Sequence, residues 1–163
     1  SVISHTDFQD RQAHDAAVMD VLRKDAVELV VLAGYMRILS EDFTREYSGR
    51  MINLHPALLP LYKGLDTYNR VLQAGDSETG ASIHFVTEGL DSGPVISQVK
   101  IPVLPNDDAA SLAARLGPME HKLVVATVEL FCKREVHYQQ GVVYFQGRAI
   151  EQPLQLKHDG TFD

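Results

Sequence analysis

Leu29-Val30-Val31-Leu32-Ala33 is a continuous apolar run, closed by Gly34. Its length suits a strand buried on both faces, as in a parallel sheet, because a strand with one wet face would alternate polar and apolar positions. Ser40 next offers an oxygen to cap a short helix from Glu41 to about Tyr47. Glu41 and Asp42 fall in its first turn, where the helix dipole favours negative charge. Met51-Ile52-Asn53-Leu54 is the following strand. Strand, helix and strand in so short a span read as a right-handed crossover unit, the building block of an α/β sheet.

The pattern extends in both directions. Upstream, Asp7 or Asp10 can cap a helix running to about Lys24, with Ala17, Val18, Val21 and Leu22 on its inner face. Downstream, Asp66 to Ala74 is a short helix closed by Gly75. Ser82, His84 and Val86 share one face of an alternating segment. From Val95 to Val103 a second alternating segment sets Val95, Ser97, Val99, Ile101 and Val103 opposite Ile96, Gln98 and Lys100, with Pro102 marking an edge or a strand end. Leu112, Leu116, Met119, Leu123, Ala126 and Leu130 repeat at helical spacing from Asp108 to Lys133 and read as core packing, with Gly117-Pro118 expected to kink or split that helix. Val142 to Phe145, Gln146-Gly147 and Arg148 to Ile150 form a hairpin pattern, and the polar tail after Gln152 is expected to be loose. No repeat or linker interrupts the chain, so 163 residues read as one domain.

The net charge of -7 argues against a nucleic-acid surface, which would need a basic stripe. Cys132 is the only cysteine, so no internal disulfide forms; it reads as a buried small hydrophobe, and a reducing compartment, the cytoplasm, fits. No segment approaches the roughly 20 apolar residues of a membrane span, and no signal peptide is visible.

Asn53-Leu54-His55-Pro56-Ala57-Leu58-Leu59-Pro60 carries the chemistry. Asn53 and His55 are two residues apart on a strand and share a face. An amide that donates and an imidazole that donates, accepts or carries charge are what acyl transfer needs to hold a developing oxyanion. Asp91, in Asp91-Ser92-Gly93-Pro94, supplies a carboxylate that could orient or charge the imidazole. Each piece has an ordinary reading as well: Asn-x-His-Pro and Asp-Ser-Gly-Pro are turn chemistry, and His84 fits a satisfied sheet residue. A zinc site of His55, His84 and Asp91 lacks the usual ligand spacing.

Taken together, Asn53 to Pro60, Tyr62-Lys63-Gly64 and Gly80 to Pro94 make the chain resemble the formyltransferases that use 10-formyltetrahydrofolate. Within them it is most similar to the branch that formylates phosphoribosylglycinamide in purine biosynthesis. Leu32 to Leu39, Gly64 to Tyr68 and Glu120-His121 add to the likeness. The resemblance implies an open, mostly parallel Rossmann-like sheet with flanking helices and a catalytic trio of Asn53, His55 and Asp91. It further implies a folate site flanked by Tyr35, Met36, Arg37, Ile38 and Leu39 and by Val86, Thr87, Glu88, Gly89 and Leu90. Arg11 falls where the family has an arginine near the folate's glutamate end, and Glu120 where a glutamate contacts the acceptor's ribose; a kink at Gly117-Pro118 would shift Glu120 from that role. The co-substrates are small molecules, 10-formyltetrahydrofolate and phosphoribosylglycinamide, and no metal is required. The alternatives are formyltetrahydrofolate hydrolase, a formyltransferase acting on tRNA or an amino sugar, or an inactive folate-binding fragment.

One departure is plain. Members of the family begin with a strand and a Gly-x-Gly-Ser-Asn loop that holds the acceptor's phosphate at a helix N-terminus. Ser1 aligns roughly fifty residues into that layout, given the usual size of such α/β units. The expectation is therefore one formyltransferase domain over 1–163 that lacks this segment. The edge of Leu29 to Ala33 is then left open, and the chain is expected to be a truncation or proteolytic fragment of a longer enzyme or, alternatively, to be completed by another copy or a second polypeptide.

Overall fold

Asp10 caps the first helix, α1 (Arg11–Lys24), accepting the Ala13 amide at 2.8 Å. The computed structural model describes residues 2–163; Ser1, the reference point for the family layout, lies outside them. The chain continues through β1 (Val30–Ala33), α2 (Glu41–Glu46), β2 (Met51–His55), α3 (Thr67–Ala74), β3 (Glu78–Phe85), β4 (Val95–Pro102) and α4 (Ala109–Cys132). It ends in β5 (Val136–Gln139), β6 (Val142–Phe145), β7 (Arg148–Ala149) and β8 (Leu154–Gln155). Ser40 caps α2 through the Phe43 amide, and Gly75 closes α3 in the left-handed region at φ 70°, where a Cβ would cost energy.

The main sheet has the order β1-β2-β3-β4-β8. β1 is parallel to β2 and β8 to β4, while β3 is antiparallel to both its neighbours. Four of the five strands thus point the same way, as the expected open α/β sheet requires. β5, β6 and β7 form a separate antiparallel sheet around the foreseen hairpin. The larger core sets Ile83, Phe85, Ile96 and Val99 of the sheet against Leu112, Leu116, Leu123 and Leu130 of α4. A buried hydrogen bond between Ser97 and Thr127, 2.7 Å, ties α4 to β4. The smaller core gathers Met19, Phe43, Tyr47 and Met51 under α1 and α2.

Four expectations are corrected. β1 is not buried on both faces: Val30 and Leu32 pack into the smaller core, but Val31 is 37% exposed and Ala33 is exposed too. It stands at a sheet edge, paired among the described residues only with β2. Gly117-Pro118 does not split α4, which runs through Pro118. One proline costs about 3 kcal/mol, whereas each leucine seated on the sheet contributes about 1.5–3 kcal/mol. The tail is not loose, because Leu154 and Leu156 alternate inward and are buried while β8 pairs with β4. Cys132 is exposed, two residues and so about 200° around the helix from buried Leu130.

Candidate functional site

Asn53 sits in register with His84 across the β2/β3 pairing. Nδ1 of His84 lies 2.9 Å from the Phe85 carbonyl, which can only accept, so Nδ1 carries the proton. Nε2 is then the acceptor, 3.1 Å from the Asn53 side-chain nitrogen. Burial, opposed by the Phe85 hydrogen bond and by Asp91, holds the His84 pKa below the usual histidine value. The neutral ring therefore fixes which way the Asn53 amide points and leaves its second N–H free for a ligand.

His55 ends β2, and its ring is 7% exposed. Nε2 faces the Tyr62 carbonyl at 2.9 Å, and Nδ1 lies 3.3 Å from Asp91 Oδ2. Both partners are acceptors, so a ring that donates at both nitrogens satisfies both. Asp91 Oδ2 also accepts the Gly64 amide at 2.8 Å, and Oδ1 lies 3.6 Å from His84 Nε2. Asp91 holds φ at 45°, a left-handed conformation that aspartate tolerates and that recurs where a side chain is aimed for function. The structure thus brings together Asn53, His55 and Asp91, and adds His84 as the group that joins them.

Beneath this centre lies a buried network that sequence reading missed. Ser82 donates to the Ala57 carbonyl at 2.7 Å and accepts the Leu59 amide at 3.0 Å. Gln98 donates to the Leu59 carbonyl and to Ser82, both at 2.9 Å. These bonds pin the start of the loop whose later residues, Tyr62 and Gly64, hold His55 and Asp91. The available signal was two polar residues on strands otherwise apolar, since a buried polar side chain is hydrogen-bonded to something.

Of the two expected folate segments, Val86 to Leu90 runs directly into Asp91, and Tyr35 to Leu39 shares the smaller core with it through Leu39 and Val86. Tyr35 and Arg37 are half-buried, Leu39 packs into the smaller core, and Met36 and Ile38 are exposed. Burial first, then Asp15, raises the Tyr35 pKa, while Arg37 and Arg11 oppose it, so both cations lie near that hydroxyl. Val86 packs beside Leu39's cluster, Thr87 is half-buried, and Glu88, Gly89 and Leu90 are exposed, with Leu90 lying beside Gly64. Arg11 is exposed at the start of α1. Glu120 makes no hydrogen bond or ion pair with the trio among the described residues; burial raises its pKa, and its charge raises that of Tyr68, to about 12 after burial has done most of the work.

Gly93 shows why the loop after β3 cannot carry a side chain there. A Cβ at this position would stand 1.7 Å from the Phe85 carbonyl oxygen, the same oxygen that fixes the His84 ring. Gly93→Ala is expected to destabilise the fold by about 3 kcal/mol, through overpacking against rigid backbone. A urea melt measures it, and a loss below about 1 kcal/mol would contradict the close approach.

The neutral His84 also makes stability depend on pH. Its folded pKa lies below the unfolded value of about 6.5, so the unfolded chain binds more protons between the two. The stabilisation is present above the unfolded pKa and is lost as pH falls through the folded one. The urea midpoint should fall more steeply on acidification in the wild type than in His84→Gln; parallel slopes would remove His84 as the source.

Comparison with known proteins places these features in context. The family model described as formyl transferase matches residues 1–128. A phosphoribosylglycinamide formyltransferase of Haemophilus influenzae is 37% identical over 92% of this chain and 71% of its own length. The trifunctional purine biosynthetic protein adenosine-3 of Drosophila melanogaster is 48% identical over 74% of this chain, which spans 9% of that protein. The solved phosphoribosylglycinamide formyltransferase of Coxiella burnetii superposes with a TM-score of 0.85 at 37% identity, over 91% of this chain and 70% of that one.

Proposed function

Since the chain belongs to the formyl transferase family, we propose that its centre moves the formyl group of 10-formyltetrahydrofolate to the primary amine of phosphoribosylglycinamide, a step of purine biosynthesis. The observation that carries this reading is the convergence of Asn53, His55 and Asp91, with His55 Nδ1 3.3 Å from the carboxylate. The amine attacks the formyl carbon, a C–N bond forms, and the carbonyl oxygen becomes an oxyanion. The free N–H of Asn53 donates to it, joined by the His55 Nε2–H once the oxyanion takes the place of the Tyr62 carbonyl as its acceptor, and each such donor supplies roughly 2.7–4 kcal/mol in well-studied acyl transfers. The attacking nitrogen loses a proton to Asp91, directly or through a held water. Collapse breaks the bond to the folate nitrogen, which leaves with the proton that Asp91 took from the amine, and the carboxylate is restored. No covalent enzyme intermediate is needed.

Tyr35 to Leu39 and Val86 to Leu90 would flank the pteridine, Arg11 the glutamate end, and Glu120 the acceptor's ribose. We read residues 1–163 as one formyltransferase domain. A strand and glycine-rich loop beside the open edge of β1 would complete its phosphate site, whether from this polypeptide, another copy or a second one. The single cysteine fits a cytoplasmic setting. Among the described residues no helix is long and apolar enough to cross a membrane.

The test is a formyl-transfer assay with both co-substrates, with formate release followed when the acceptor is omitted. Formylated acceptor supports the reading. Formate release alone would make the centre a hydrolase, and folate binding without either product would make the chain a binding fragment.

A further inference from the structure

Two adjacent residues of α1 hold the segment Tyr35 to Leu39 from behind. Asp15, 1% exposed, accepts the Ser40 amide at 2.7 Å and so fixes the segment's end. His14, 5% exposed, lies with Nδ1 3.4 Å from an Arg37 guanidinium nitrogen. Its Nε2 is 3.2 Å from the Ile3 carbonyl. That carbonyl can only accept, so Nε2 carries the proton. In the neutral ring Nδ1 is then a lone pair, and Arg37 donates to it.

The same Nδ1 has a second neighbour. Asp15 Oδ1 is 3.7 Å away and is a buried oxygen with no hydrogen-bond partner. An unpartnered buried carboxylate oxygen is costly, and an imidazolium N–H would satisfy it. The neutral ring suits Arg37 and leaves Asp15 Oδ1 orphaned. The protonated ring suits Asp15, loses its acceptor for Arg37, and sets two positive charges side by side. The remaining groups around the ring are Phe8 and His5, whose rings meet it edge-on at 5.5 and 6.5 Å. The other nearby titratable groups are Tyr35, close to Asp15, and Arg11.

We propose that His14 is a proton-dependent positioning residue for Arg37: neutral, it holds the guanidinium against the folate segment, and protonated, it turns to Asp15 and releases it. This rests on the folate reading above, and it predicts that folate binding weakens on acidification through His14. Loss of one hydrogen bond to a charged group changes affinity by about tenfold.

The test titrates 5-formyltetrahydrofolate into the wild type, His14→Phe and His14→Gln between pH 5.5 and 8. The wild type should bind more weakly as pH falls. His14→Phe, with no acceptor, should bind about tenfold more weakly at pH 8 and show little further change. His14→Gln, with an acceptor that does not titrate, should bind like the wild type at pH 8 and keep that affinity at pH 5.5. Thermal melts establish that each variant is folded, and His14→Gln serves if His14→Phe is not. A ligand-free readout accompanies it: the Arg37 side-chain nitrogen resonance should follow the titration of the His14 ring in the wild type and lose that response in His14→Gln. An Arg37 resonance indifferent to His14, or the wild-type pH dependence retained in His14→Gln, overturns the proposal. Absence of folate binding at every pH overturns the folate reading instead, and the resonance then decides the switch alone.

Discussion

Asp91→Asn is expected to lower kcat for formyl transfer by about 10²–10⁴-fold, the range spanned by positioned acid–base groups. The substitution keeps the shape of the side chain and one oxygen for the Gly64 amide, which now binds Oδ2 at 2.8 Å. It removes the negative charge 3.3 Å from His55 Nδ1 and the acceptor for the amine's proton. KM for the folate should change little, since Asp91 faces the two histidines and the Gly64 amide. Steady-state kinetics with folate-analogue binding in parallel reads both. A variant that raised KM and left kcat intact would make Asp91 a binding group and refute its placement.

His55→Ala should cost about 10²–10³-fold in kcat, the loss associated with one oxyanion donor. The ring is buried at the end of β2, so part of any change could be structural; the folate affinity and the urea midpoint separate that part. The informative measurement is the double variant. Groups that act as a unit are far from additive. His55→Ala in the Asp91→Asn background should therefore cost only a few-fold more, because the carboxylate's partner is already disabled. Full multiplication of the two losses would mean that Asp91 works without the imidazole.

Much of this was legible in the sequence because it is local. Apolar runs, caps at Asp10 and Ser40, Gly75 and the stripe of α4 are each written within a few residues. Asn53 and His55 could be paired from strand periodicity alone. The misreadings share a cause, which is that they depend on partners distant in sequence. Val31 looks like a core residue until its strand is found at an edge. Leu154 and Leu156 look like a loose tail until β4 is found to need a neighbour. His84 is the satisfied sheet residue its pattern suggests, and only its register opposite Asn53 reveals that it also orients the amide. Ser82 and Gln98 carry no motif at all; what they do is set by the backbone of a loop 23 to 39 residues earlier, at Ala57 and Leu59.

The network under the centre has a kinetic side. Gln98 reaches forward as well as back, accepting a hydrogen bond from Gln155 of β8 at 3.4 Å across 57 residues of chain. Contacts so remote in sequence form late, because closing a long loop costs entropy before it returns any stabilisation. A folding chain with β1 to β4 and α4 already docked would hold Leu59 through a Gln98 amide that still lacks its Gln155 partner. Regain of activity on refolding should therefore lag behind regain of secondary structure, timed by the docking of β8 rather than by any event at the catalytic trio.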